Sequence, residues 1–315
     1  MSPRVIPGFS LRQLSYLVAI ADKGSMTAAA EMCHTSQAAI SMALADLERK
    51  LGTQLLLRQR GKGVAFTEAG SRVVAQARAV LSQVDDLQTA ARVADRELVG
   101  HLAVGCYTTL VPFLVPALLD TFQSKYPAID LDIREEADVS GPLLSGECEV
   151  ALTYRLDFPP GLDFLTLRRS KPYVLLAAGH PLARKAIIPI EDLEHERLIL
   201  FGLPPSPRNN EELMAAAGLQ PNVYYRTSDI EVVRALVARG LGYAMLVQRW
   251  SSDVSYEGLP LVTRELAGTV PEYDLVVAWP KNTRLTARAQ VLVEFLRQDR
   301  FAAPYTGFLN EVVPS

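Results

Sequence analysis

Apolar residues return at helical spacing through the first fifty positions. Leu11, Leu14, Leu17, Val18 and Ala21 share one face behind Ser10, which can cap a helix, and Gly24 ends the repeat after Lys23. An alanine-rich segment from Thr27 to Cys33 predicts a second, short helix capped by Ser25 or Thr27. After a break at His34-Thr35, Ser36 caps a third helix that runs to Gly52, with Ile40, Leu44, Leu47 and Leu51 as its buried stripe. Ala38, Ser41, Met42, Ala45 and Arg49 fall on the opposite face, with Gln37 beside the first turn. Two short apolar strands then flank Arg58-Gln59-Arg60-Gly61-Lys62-Gly63, a basic hairpin. Helices and hairpin in this order predict a winged helix-turn-helix over residues 1–66.

From Thr67, the positions Val74, Ala77, Leu81, Val84, Leu87, Ala91 and Ala94 recur every three or four residues, close to the period of a coiled-coil seam. Residues 67–97 therefore read as one long helix, roughly 30 residues spanning about 45 Å. Beyond Leu98, short apolar runs (HLAVG, IDLDI, EVALTY, YVLLAA, ERLILF, NVYYRT, LGYAML, YDLVVAWP) alternate with helical segments, one of them over 111–125. That alternation predicts an α/β architecture with parallel sheets over 98–315.

Composition adds limits. A chain of 315 residues, 49% hydrophobic, can bury more than one core. No stretch approaches the roughly 18 apolar residues of a membrane span, and the N-terminus lacks a long apolar run typical of export signals. A cytoplasmic protein without membrane contact is expected. The formal charge of −3 points away from nucleic acid, but the balance is uneven. Residues 1–66 carry eight basic and four acidic side chains, a balance of +4; residues 98–315 carry 20 and 26, a balance of −6. Phosphate attraction acts locally, so the basic N-terminal end can still face DNA.

The third helix has small and polar residues near its N-terminus, where free N–H groups favour phosphate and small side chains allow deep entry into a major groove. Gln37 can pair with adenine, and Ala38 or Ala39 can touch a thymine methyl. Arg58, Arg60 and Lys62 suit a wing that straddles the backbone or a narrow minor groove, and Thr67 is expected to join them on phosphates.

The run from Leu11 to Gly70 resembles the DNA-binding region of LysR-type transcriptional regulators. Its leucine-rich first helix is followed by Gly24-Ser25-Met26-Thr27, Ser36-Gln37, Ser41, Leu47-Glu48, Leu51-Gly52 and Thr67-Glu68-Ala69-Gly70, all in the family's order. Ala38, Ala39 and Met42 depart from the proline and basic residues that many members carry there. The resemblance implies DNA contacts from Thr27, Ser36, Gln37, Ala38, Ser41 and Met42, and a dimerising linker helix at 67–97. It also implies a two-lobed, periplasmic-binding-protein-like effector domain, with lobe I at about 98–167 and 270–300 and lobe II at about 168–269. The assembly implied is a homodimer or homotetramer on double-stranded operator DNA, with RNA polymerase as a further partner.

In open α/β sheets, ligands sit beyond the C-terminal ends of strands, which nominates Thr108, Thr109, Thr153, Tyr154, Ser206 and Ser228 for an effector, with Ser228 also placed to cap a helix. The expected effector is a small anionic metabolite such as an aromatic or hydroxy carboxylate. Cys106 is the candidate for a redox-sensing alternative, although paired cysteines in the second lobe are missing. A plain solute-binding protein would leave residues 1–95 unexplained. The four histidines are dispersed without catalytic or metal-binding spacing, so neither enzyme, cofactor nor metal is expected.

Overall fold

The structure, a computed structural model, describes residues 8–58, 64–92, 98–155, 158–204, 206–250 and 252–298. Three helices open it: α1 (Leu11–Lys23), α2 (Met26–Met32) and α3 (Gln37–Leu51). Ser10, Ser25 and Ser36 cap them by accepting from the backbone N–H three residues on. Leu14, Leu17, Ile20, Ile40, Leu44 and Leu47 close the core between them. Leu11 departs from the expected stripe and is 46% exposed, because the inward face turns through Leu17 and Ile20 instead. Ser25 takes the cap of α2, and the Thr27 hydroxyl donates to Gln37 Oε1 at 3.4 Å.

Strands β1 (Leu56–Arg58) and β2 (Val64–Phe66) pair antiparallel as the wing, with Leu56 opposite Phe66. Helix α4 (Glu68–Arg92) then crosses it closely. A methyl group on Gly70 would lie 2.1 Å from the Leu55 carbonyl oxygen, so a hydrogen is required at this crossing. The expected seam of α4 is divided. Val74 and Ala77 are buried in the core of their own domain with Leu81 packed against it, whereas Leu87 is 69% exposed further along. Ala94 lies outside the described residues.

Lobe I begins with β3 (Gly100–Tyr107). The helical run after it is not uniform: a 3₁₀ turn (Thr108–Leu110) leads into α5 (Val111–Ala117), a π-turn (Leu118–Phe122) and α6 (Gln123–Lys125). The π-turn follows Pro116, which withholds an N–H from the helical ladder. Next come β4 (Ile129–Glu136), α7 (Ser140–Ser145), β5 (Val150–Tyr154) and β6 (Leu162–Ser170). Lobe II holds β7 (Tyr173–Ala177), β8 (Ile187–Ile188), β9 (Leu198–Phe201), α8 (Ser206–Ala216) and β10 (Val223–Thr227). It continues with α9 (Ile230–Ala238), β11 (Ala244–Leu246) and β12 (Leu261–Leu266). The chain returns to lobe I through β13 (Tyr273–Pro280) and α10 (Ala287–Arg297).

The sheets are mixed, where parallel sheets were expected. In lobe I the order is β4-β3-β5-β13-β6; β3 runs parallel to β4 and β5, but the return strand β13 is antiparallel to β5 and β6. In lobe II, β7 is antiparallel to both β11 and β12, while β9 and β10 pair in parallel. The chain crosses between lobes after Ser170 and again between Leu266 and Tyr273.

Gly70→Ala should therefore force α4 off the wing. A loss of on the order of 1–3 kcal/mol in urea unfolding is expected, the usual cost of overpacking. An unchanged midpoint would mean that the crossing can open freely.

Candidate DNA-binding face and effector cavity

Helix α3 is fixed from behind and bare in front. The buried Gln13 amide donates to the Ala43 carbonyl (3.1 Å) and to Asp46 Oδ2 (2.8 Å), while its oxygen accepts from the Ser10 N–H (2.8 Å). One side chain thus completes the cap of α1 and ties α1 to α3. Lys50, with Gln13 and Arg49, holds the Asp46 carboxyl down at about 2, so it stays charged at any ordinary pH. Glu48 accepts from the backbone N–H groups of Leu55 (2.7 Å) and Leu56 (3.1 Å), which fixes the wing to the same helix.

On the open side, Ser36, Gln37, Ala38 and Met42 are exposed, Met42 at 74%, and Ser41 is half-buried. Thr27 and Gln37 meet across the turn through the bond already described. Thr67 is a correction. Its hydroxyl donates to the Gln54 carbonyl (2.8 Å) and accepts from the Gly70 N–H (2.9 Å), so it caps α4 and has no proton left for a phosphate. Arg58 ends β1, with its backbone paired to Val64; Arg60 and Lys62 lie outside the described residues.

Thr109, Tyr154 and Ser206 meet in a cavity of about 70 Å³ between the lobes. The lobes touch around it. Tyr107 donates to the Pro204 carbonyl (2.9 Å), Tyr154 donates to Gln248 Oε1 (2.6 Å), and the rings of Phe113 and Trp250 meet edge to face at 5.1 Å. Three other expected contacts are not part of this cavity. Thr108 starts the 3₁₀ turn but does not line the space. Thr153 points to the opposite sheet face from Tyr154, as neighbours on a strand must. Ser228 is exposed; the cap expected of it is made by Asp229, which accepts from Glu231 N–H (2.8 Å). Gln248, Trp250, Asn210 and Tyr273 line the cavity without having been legible, because they come from three separate segments.

The cysteines oppose a redox role. Cys106 is buried in one face of the lobe I sheet and Cys148 in the other. Burial pushes the Cys106 thiol up to about 12 and that of Cys148 to about 11, which leaves both as unreactive thiols.

Lobe I is docked on α4. Arg78, only 12% exposed, pairs with Asp22 of α1, donates to the Ser145 carbonyl (2.9 Å) and reaches Glu147 (3.3 Å). Beside it, Ser82 donates to Glu149 (3.4 Å), whose other oxygen accepts from Thr286, the cap of α10 (2.7 Å). Gly146 lies so close that an added Cβ would sit 3.2 Å from the Ala75 carbonyl oxygen.

Comparison with known proteins decides the family. Residues 11–71 match the bacterial regulatory helix-turn-helix of the lysR family, and residues 95–300 match the LysR substrate binding domain. The chain belongs to the LysR family of DNA-binding transcriptional regulators. Among its relatives, the Hca operon transcriptional activator HcaR of Escherichia coli K12 is 30% identical over 86% of this chain and 92% of its own length. The transcriptional dual regulator OxyR of the same organism is 27% identical over 91% and 95%. The solved full-length OxyR from Pseudomonas aeruginosa superposes with a TM-score of 0.71 at 27% identity, covering 92% of this chain and 98% of its own. The expected winged helix-turn-helix and two-lobed, periplasmic-binding-protein-like domain are thus the architecture of this LysR regulator. Among the described residues, no helix is long and apolar enough to cross a membrane.

At pH 8, a thiol reagent should modify the half-buried Cys33 in the native regulator and all three cysteines after unfolding. Rapid native labelling of Cys106 would contradict the burial argument.

Proposed function

We propose that this LysR-type regulator reads operator DNA through the first turns of α3. Gln37, Ala38, Ser41 and Met42 face the base edges, with Thr27 and Ser36 beside them. Arg58, Arg60 and Lys62 of the wing neutralise phosphates. The observation that carries the reading is the combination on α3: an exposed N-terminal face of small and amide side chains, on a helix held rigidly by Gln13 and Glu48 from behind. Rigid support preserves the register that base recognition requires.

The regulator works in the cytoplasm as a homodimer or homotetramer, without enzymatic activity of its own. Exposed Val80 and Leu87 on α4 supply an apolar face for a second copy, since the first half of that helix is spent on its own domain. Two half-sites are then read by one assembly, and linkage at high effective concentration strengthens both. A small-molecule effector enters between the lobes and changes their closure. The change reaches the DNA-binding domain through the Arg78 contact, alters how the assembly holds operator DNA and thereby alters its contact with RNA polymerase. Such coupling requires the effector to bind one arrangement more tightly than the other.

Duplexes selected from a random pool by the purified protein give the operator sequence. Gln37→Ala combined with Ser41→Ala should weaken binding to the selected duplex by about 10- to 100-fold, as loss of base contacts does. Binding to random duplex should change little, because phosphate contacts carry it. Equal affinity of variant and wild type for the selected duplex, read by fluorescence anisotropy, would reject α3 as the reading helix.

A further inference from the structure

The interlobe cavity carries more information than its place in the fold. Among the described residues that line it, none is charged. Its walls are apolar or aromatic, including Phe201, Leu213, Ile230 and Trp250. Its polar groups are phenols, hydroxyls and carboxamides, and several have hydrogen-bonding capacity unspent. Tyr273 is 6% exposed, and its hydroxyl has no hydrogen-bond partner among the described residues. Asn210 is 5% exposed; its Nδ2 reaches Ser206 Oγ at a long 3.5 Å, which leaves its oxygen to accept. Gln248 Oε1 is taken by the Tyr154 hydroxyl at 2.6 Å, which leaves its N–H₂ to donate.

Polar groups that face one confined space with bonding capacity unspent favour a ligand that completes them. The required partner has a carbonyl for the Gln248 amide and the Tyr273 hydroxyl, an N–H for Asn210, and an apolar body for the ring-lined wall. Charge is disfavoured. The same burial pushes Tyr107 to about 12 and raises Tyr154 and Tyr273, with Glu212 adding to the rise at Tyr273. Burial that raises these phenols also disfavours a bound carboxylate, and the lining itself carries no cation, Arg168 acting on Tyr154 from outside it. The volume of about 70 Å³ is smaller than the roughly 150 Å³ of a cavity known to hold benzene.

We propose that the cavity takes a small uncharged amide or lactam, in place of the anionic metabolite expected from the strand-end hydroxyls. This assignment rests on the effector reading above and narrows it to one ligand class. In the complex, Gln248 and Tyr273 donate to the ligand carbonyl and Asn210 accepts from its N–H. The apolar body lies against Phe201 and Trp250.

The test uses the full-length protein and matched pairs of equal shape: acetamide with acetate, propionamide with propionate, and butyramide with butyrate. Binding is followed by thermal shift and by tryptophan fluorescence, since Trp250 lines the cavity. Each amide should bind more tightly than its carboxylate, by on the order of a hundredfold. Tyr273→Phe and Asn210→Leu should each weaken the amides by about fivefold. Gln248→Lys should reverse the preference by supplying a cation, which keeps the test decisive if another variant misfolds. Tighter binding of the carboxylates to the wild type, or no binding by any pair, overturns the proposal. The arms separate the two readings: carboxylates that bind and are weakened by Asn210→Leu leave the effector site standing and reject only the ligand class, whereas no binding by any pair with operator binding intact rejects the effector reading of the cavity.

Discussion

One guanidinium joins the parts of this regulator that must communicate. Arg78 sits near the middle of α4, between Asp22 of the DNA-binding domain and the Ser145 carbonyl and Glu147 of lobe I. A carboxylate on each side satisfies a planar group with donors pointing both ways, which lysine could not do with a point charge. Around it, the missing side chain of Gly146 lets lobe I approach the helix backbone, and Glu149 links Ser82 to the cap of α10. Any rotation of lobe I relative to α4 has to rearrange this set. The DNA-binding domain cannot ignore such a rearrangement, because Asp22 shares the same guanidinium.

The two ends of the molecule use opposite physical strategies. The DNA-binding face is open and supported by charged groups behind it, where Asp46 and Glu48 organise α3 and the wing. The interlobe cavity is confined and lined by uncharged side chains, some of its polar groups paired across the lobes and others with bonding capacity left. An open face suits a polyanion that brings its own field; a confined neutral cavity suits recognition by shape and hydrogen bonding. The buried, protonated cysteines fit this division, since burial dominates at both and outweighs the Arg134 charge near Cys148.

Much of the fold was legible in the chain. Serine caps, a glycine stop and a regular apolar stripe placed α1 and α3 closely, because these signals act within a few residues. β6 and β12 were not recognised. β6 lies at the edge of its sheet and is only partly buried, so its sequence has little need for a marked apolar alternation. The division of the α4 seam was also hidden, since periodicity reports that a face is apolar without saying what covers it. The same limit applied to the cavity. Strand-end reasoning brought Thr109, Tyr154 and Ser206 together, but it could not tell Thr153 from Tyr154, whose side chains leave opposite faces. Nor could it find Gln248 or Tyr273, which are joined to the others only by folding.

The ionic character of the Arg78 contact has a consequence for how operator binding responds to salt. Added electrolyte screens DNA phosphates, and the usual slope of affinity against salt counts the counterions released. Here electrolyte also acts on the pairs between Arg78, Asp22 and Glu147, which hold the DNA-binding domain to lobe I. Because Arg78 is only 12% exposed, its pairs resist screening more than contacts on the open DNA-binding face do, so the cohesion of the reader outlasts its grip on the polymer as salt rises.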